Sequence, residues 1–249
     1  MPLLFIFMTF KLSIVIPTYK ESNNIQELIF CINKNINLKK KNFEIVIVDD
    51  NSRDGIINIY KVLKKKFYNL KLFIRKNKIR DLSQSCIYGF RKSIYQNILV
   101  MDADLQHDPI YINKMVILFK KNKLDFVVGC RKFSNRKSVQ VSLLRYLLSK
   151  YIIFLFNFFF SQKTHDPMSG FFLFKKKIYI QNKDKLFGRG YKILLDLLYN
   201  SKNEVFIKDI YIKFNKRLKD SSKLNLKVLF LILLFFFTKL FKKNFKFIF

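Results

Sequence analysis

Residues 43–55 read FEIVIVDDNSRDG. An unbroken run of mostly β-branched residues is the pattern of a strand buried on both faces, as in a parallel sheet covered by helices. The run stops at Asp49 and Asp50, and Asn51, Ser52, Asp54 and Gly55 supply turn chemistry immediately after it. Upstream, LSIVIP at 12–17 is a second such run, closed by Pro17. Between the two strands, Ser22 opens a stretch whose apolar positions Ile25, Leu28, Ile29, Ile32 and Ile36 recur at helical spacing. Downstream, Ser52 and Asp54 open a helix through Leu63, followed by the strand LKLFIR at 70–75 and a helix from Leu82 to Tyr95. The strand NILVMDAD at 97–104, a helix begun by Pro109 and the strand LDFVVG at 124–129 continue the series.

Strand and helix thus alternate from Leu12 to Gly129. That order predicts an α/β fold, Rossmann-like, with a mostly parallel sheet and helices on both faces. Such sheets bind ligands beyond the carboxyl ends of their strands, where the strand order reverses. Three strands end in polar residues at that edge: Thr18, Tyr19 and Glu21, then Asp49 and Asp50, then Asp102 and Asp104.

The composition limits what this fold can serve. Among 249 residues, 48 Lys and Arg face 17 Asp and Glu, a formal balance of +31, and half the residues are hydrophobic, which excludes a disordered chain. The aromatic share is dominated by 30 Phe with no Trp, alongside abundant Lys, Asn and Ile, so part of the charge reads as codon bias toward A and T. A positive balance suits nucleic acid or an anionic membrane, but no nucleic-acid-binding motif is present, and no nucleic-acid partner is expected. Cys31, Cys86 and Cys130 have neither disulfide nor zinc spacing and suit a reducing compartment. Neither His107 nor His165 has metal-ligand spacing, and neither a GxGxxG nor a GxxxxGK[ST] pattern occurs.

No run reaches the 18 or so apolar residues of a spanning helix. LLRYLLSKYIIFLFNFFF at 143–160 is broken by Arg145, Lys150 and Asn157; the apolar run 228–237 is followed by Lys239, Lys242, Lys243 and Lys246. Both read as segments lying on a membrane surface. The chain then divides into a domain at 9–224 and an apolar, basic tail at 225–249 that forms a membrane-interface helix.

The sharpest chemical signal is MDADLQHDP at 101–109. Two carboxylates one residue apart, leaving a buried strand, point the same way in an extended chain. A hard divalent ion, Mg2+ or Mn2+, itself held by phosphate oxygens, neutralises them, and Gln106 can add a neutral oxygen. The plain alternative is a loop acid pair that caps the next helix, a task for which Asp108 already suffices. In VDDNSRDG at 48–55, a carboxylate at a second strand tip suits a ribose or base edge.

IVIPTYKESNNI at 14–25, VDDNSRDG, MDADLQHDP, THDPMSGFF at 164–172 and GYKILLDLL at 190–198, in this order, resemble the family 2 glycosyltransferases of GT-A fold. The likeness runs from about Ser13 to Lys223 and is nearest to the dolichyl- or polyprenyl-phosphate mannose synthase branch, for which DPMSGFF is the most diagnostic. The resemblance implies a metal-dependent, inverting transfer of mannose from GDP-mannose to a polyprenyl phosphate at the cytoplasmic face of a membrane. It implies that Pro17, Tyr19, Glu21, Val48 and Asp50 contact the nucleoside. Asp102, Ala103, Asp104 and Gln106 would hold the diphosphate and metal. Arg131, Arg217 and Lys223 would engage phosphates, and Asp166, Ser169 and Gly170 would lie on the acceptor side. Two positions depart from the family pattern: Asp220 stands for a Gly in the RLKDSSK element, and Asp196 for a Glu in GYKILLDLL. A related transferase using a UDP-sugar such as UDP-glucose is the nearest alternative; a non-catalytic basic nucleic-acid-binding or scaffold protein is the remote one.

Overall fold

The computed structural model describes residues 3–76, 78–131, 164–190, 193–201 and 205–213. Seven strands form one sheet: β1 (Leu12–Thr18), β2 (Phe43–Asp49), β3 (Leu70–Ile74), β4 (Asn97–Val100), β5 (Phe126–Arg131), β6 (Phe172–Lys175) and β7 (Ile207–Ile212). Their order is β3-β2-β1-β4-β6-β5-β7. All pairings are parallel except those of β6, which runs antiparallel to both β4 and β5. The sheet is therefore mixed and mostly parallel, and the crevice at its reversal of order opens beyond the carboxyl ends of β1 and β4.

Side chains alternate across the sheet with the period of two that a strand imposes. Ile14 and Ile16 of β1 enter one hydrophobic core, with helices α1 (Leu3–Thr9), α2 (Ser22–Asn35), α3 (Ile56–Lys66) and α5 (Tyr111–Lys121). Val15 points to the opposite core, shared with α4 (Leu82–Lys92), α6 (Lys176–Asn182) and α7 (Ile193–Asn200). Gly89 of α4 lets this second layer approach closely: a Cβ there would overlap Val15 Cγ1 and stand 3.3 Å from Val48 Cγ2.

The strands expected from the sequence all form, four of them with shifts of a residue or two at their ends, while the fourth stops at Val100 rather than at Asp104 because the chain leaves the sheet there. Several helix starts and stops also differ from the expectation. Ser22 is the first helical residue rather than the cap, because its N–H is taken by Asp54 Oδ2 at 2.9 Å and Glu21 occupies the cap position. α3 begins at Ile56 after Gly55, whose φ of 89° only glycine adopts cheaply. α4 ends at Lys92 rather than Tyr95, since Ser93 turns extended and returns its hydroxyl to Gly89 O at 2.8 Å. α5 starts at Tyr111, two residues after Pro109, with Asp108 accepting from Ile110 N–H at 3.0 Å. Strands β6 and β7, and α1, had no clear sequence signal. α1 nevertheless buries Ile6, and Phe10 just after it meets Phe119 edge-on at 6.0 Å.

Among the described residues no helix is long and apolar enough to cross a membrane. The segments 143–160 and 225–249 lie outside the described residues.

Candidate active site

At the end of β4 the chain leaves the sheet through Met101, whose N–H is still bonded to Val15 O at 3.2 Å. Asp102 and Asp104 follow in the crevice, one turn away from regular structure. Asp104 and Ala103 are buried, and Asp104 Oδ1 accepts the N–H of Gln106 at 3.2 Å, a short turn that Leu105 closes with a left-handed φ of 60°. The Asp102 side chain remains 35% exposed. Beneath it lies His107, buried, its ring stacked on Phe171 with centroids 5.2 Å apart and Nδ1 3.8 Å from Asp102 Oδ2. Burial pushes the His107 imidazole below its usual range despite Asp102 and Asp104 nearby, so it adds no cation to this acidic spot.

The opposite wall comes from the loop that precedes β6. Gly170 abuts Asp102 so closely that a Cβ would overlap Oδ2 and stand 2.8 Å from the carboxyl carbon. Ser169 is buried and donates its hydroxyl to Gly129 O at 2.7 Å, and the neighbouring Gly129 N–H meets Phe171 O at 2.8 Å. Asp166, also buried, receives the Arg131 side chain through two hydrogen bonds, Nε to Oδ2 at 2.9 Å and Nη2 to Oδ1 at 3.2 Å. Burial works against the guanidinium charge, and the carboxylates of Asp166 and Asp102 more than offset it. The loop is tied to β7 as well, where Asp209 accepts from Thr164 Oγ1 and from His165 N–H, each at 2.7 Å.

The donor set suits a hard cation. The Asp102 carboxylate, partly open to solvent, occupies a space kept clear by Gly170, and Asp104 follows it two residues on in the same loop. Among the described residues no group of three or more His, Cys, Asp or Glu is placed to hold a metal ion by itself. Mg2+ can be held by one or two carboxylates where substrate phosphates complete its coordination.

The third part of the crevice is the corner between β1 and β2. Pro17 and Val48 are register partners, and Asp50 N–H bonds Thr18 O at 3.0 Å, so Tyr19 and Asp50 leave the sheet side by side. Asp49 is consumed by its own turn, accepting from Ser52 N–H at 2.8 Å and Ser52 Oγ at 2.7 Å. Asp54 joins this turn to α2; burial raises its pKa, but the N–H groups of Ser22 and Ile56 and the Ser52 hydroxyl hold it below the usual carboxylate range. Glu21 accepts from Asn24 Nδ2 at 2.8 Å.

Asp50 is buried in an ion pair with Arg75, which follows β3, and its second oxygen accepts the N–H of Asp81 at 2.6 Å. Burial raises the Asp50 pKa; the Asp81 N–H and Arg75 oppose the rise without cancelling it. Arg75 Nη1 also reaches Asp81 O and Ser85 Oγ, both at 3.0 Å. Asp81 caps α4 by accepting from Gln84 N–H at 3.0 Å and holds Gly190 N–H at 2.6 Å. Asp196 reaches the same glycine loop, accepting from Gly188 N–H at 2.8 Å. The shortened carboxylate at this position therefore has a structural partner.

The structure brings Asp102, Asp104, Arg131, Asp166, Ser169 and Gly170 into one crevice, and places Pro17, Tyr19, Val48 and Asp50 at its β1/β2 corner. Arg217 and Lys223 lie outside the described residues. Sequence reasoning passed over Arg75, Asp81 and His107. Arg75 and Asp50 are 25 residues apart and no spacing rule links them, whereas His107 was visible inside the acidic motif but lacked a partner at ligand spacing.

An α/β sheet with paired acids and a carboxylate-held arginine at its switch point is the frame of a glycosyltransferase, and the chain belongs to glycosyl transferase family 2, whose profile matches residues 13–182. Among curated relatives, the dolichol-phosphate mannosyltransferase of Pyrococcus furiosus is 34% identical over 222 residues, covering 88% of this chain and 61% of the relative. The dolichol-phosphate mannosyltransferase of Mycosarcoma maydis is 32% identical over 229 residues, covering 88% and 75%. Among solved structures, glucosyl-3-phosphoglycerate synthase from Mycobacterium tuberculosis, in a complex with Mn2+, UDP and glucosyl-3-phosphoglycerate, superposes with a TM-score of 0.61 at 14% identity. That match covers 88% of this chain and 76% of the other. S. aureus TarS 1-349 superposes with a TM-score of 0.59 at 17% identity, covering 81% and 58%. These two share the fold, a GT-A-like one.

Proposed function

We propose that this protein transfers mannose from GDP-mannose to a polyprenyl, dolichyl-type phosphate with inversion at the anomeric carbon, in a metal-dependent reaction. The observation that carries this reading is the contact between Gly170 and Asp102, which sets the DPMSG loop against the paired acids in one crevice. Relatives named dolichol-phosphate mannosyltransferase at 34% and 32% identity support mannose as the sugar and a dolichol-type phosphate as the acceptor.

In this reading Asp102, Asp104 and Gln106 hold Mg2+ or Mn2+ beside the diphosphate. The ion, when bound, supplies Lewis-acid charge to the departing nucleoside diphosphate. Pro17, Tyr19, Glu21, Val48 and Asp50 line the nucleoside corner. Arg131, with its plane fixed by Asp166, presents charge to the phosphates, and Arg217 and Lys223 add theirs. The acceptor approaches past Ser169 and Gly170. Its phosphate oxygen is already anionic at neutral pH, so attack on the anomeric carbon needs no strong general base; the neutral, buried His107 is consistent with that.

Incubation of the purified protein with labelled GDP-mannose, UDP-glucose and other nucleotide sugars, each with a polyprenyl phosphate, tests the reading. Mannolipid formed from GDP-mannose, and lost on chelation, is the expected product; preferential transfer from UDP-glucose would replace the donor. In the same assay Arg217→Ala and Lys223→Ala should each slow transfer by about a hundredfold or more, the scale of a lost charge-assisted contact to a leaving group. Wild-type rates in both variants would remove those residues from the site.

The tail 225–249 is proposed to dock the protein on the cytoplasmic face of the membrane, since spanning would bury lysines at about 2.5 to 3.5 kcal/mol each near the helix centre. Deleting it should release protein into the soluble fraction at high salt and raise KM for long-chain acceptor with little change in donor affinity. A tag at residue 249 accessible only from the far side of the membrane would show instead that the tail spans.

A further inference from the structure

Arg80 lies in the loop between β3 and α4, and its guanidinium carbon stands 3.8 Å above the centre of the Tyr19 ring. The side chain is exposed, yet the backbone beside it is anchored. Asp81 N–H is bonded to Asp50 Oδ2 at 2.6 Å, Asp81 O accepts from Arg75 at 3.0 Å, and Asp50 N–H is bonded to Thr18 O at 3.0 Å. Arg80, Tyr19 and Asp50 are thereby fixed in one corner by buried Arg75. That corner belongs to β1 and β2, whereas the paired acids follow β4, on the other side of the crevice mouth.

A guanidinium stacked on an aromatic face keeps its N–H groups in its own plane, directed outward past the ring edge. This is a planar fork of donors without acceptors. Guanine offers such a fork two adjacent acceptors, O6 and N7; uracil offers a single carbonyl at the corresponding edge, and adenine presents an N–H2 donor that Arg cannot accept.

We propose that Arg80, oriented by its stack on Tyr19, reads the guanine base of the donor and so sets the preference of the site for GDP over UDP. The assignment rests on the donor-site reading above and deepens it: Asp50 with Arg75 fixes the backbone of the nucleoside corner, and Arg80 selects the base.

Binding of GDP, UDP and ADP to the full-length protein, measured by calorimetry with Mg2+ present, tests it directly. The wild type is expected to prefer GDP. Arg80→Ala should weaken GDP binding about 5- to 150-fold, the discrimination a bidentate arginine–guanine pair provides, while UDP binding changes little. Arg80→Lys keeps the charge but lacks the fork, and should lose the preference almost as fully. Because Arg80 is exposed, neither variant disturbs a core. If both variants retain the wild-type ratio of GDP to UDP affinity, the assignment is overturned. Equal weakening of GDP and UDP in Arg80→Ala, repaired by Arg80→Lys, would overturn it too, by showing a contact with phosphate rather than base. A wild type that prefers UDP removes the GDP-mannose reading and this assignment together; a wild type that prefers GDP regardless of residue 80 removes only the assignment.

Discussion

Asp104→Asn is expected to abolish the proposed mannosyl transfer while the protein stays folded. The substitution keeps side-chain volume, and an amide oxygen can still accept the Gln106 N–H that Asp104 Oδ1 receives at 3.2 Å, so the turn at Leu105 survives. What disappears, on the proposed reading, is one of two anionic oxygens that would hold the ion. In that reading a cation that Asp102 and Asp104 would hold loses affinity, and the charge developing on the leaving group loses its counter-charge. A fall in kcat of about a thousandfold is expected, the upper range for removing one preorganised electrostatic contact. Turnover at several Mg2+ and Mn2+ concentrations, with thermal unfolding as the control for folding, is the measurement. Near-normal turnover that chelators still abolish would place the ion elsewhere.

Gly170→Ala should be nearly as damaging through a single methyl group. The atoms in its way are the carboxylate of Asp102, and that side chain is partly exposed, so it can swing aside without disturbing the core. Stability should therefore fall by only about 1 to 3 kcal/mol, while Asp102 leaves its place beside Asp104. The expected loss in kcat is about a hundredfold or more. A double-mutant cycle isolates the cause: once Asp102→Ala has removed the carboxylate, adding Gly170→Ala should cost little further activity. Full additivity would mean that Gly170 serves the acceptor side independently of Asp102.

The second experiment turns on a contact between residues 68 positions apart, counting from 102 to 170, whereas the first concerns a turn local to the motif, and the same division runs through the fold. Buried strands such as FEIVIVDD announced themselves because a parallel strand covered on both faces must be apolar throughout. The alternation with helices then followed from local periodicity, and the strand tips marked the crevice because polar residues end each apolar run there. β6 and β7 escaped notice. FLFK is a four-residue run next to a lysine-rich helix, and IKDIYI lies at the sheet edge with only Ile210 and Ile212 buried, so neither carries an extended periodic signal.

The sequence by itself determined which chemistry is available: paired aspartates beside a neutral amide, a family order of motifs, and a chain rich enough in apolar residues to hold them rigid. Tertiary structure alone decided how those groups act on one another. It fixed the plane of Arg131 on Asp166, enclosed Asp50 between Arg75 and the Asp81 N–H, and laid Arg80 over Tyr19. These pairings join segments that are separate in the chain and adjacent because β2 stands between β3 and β1, and β6 beside β5. Local propensity carries no information about such pairings, because the energy that selects them arises only when burial removes water from both partners at once.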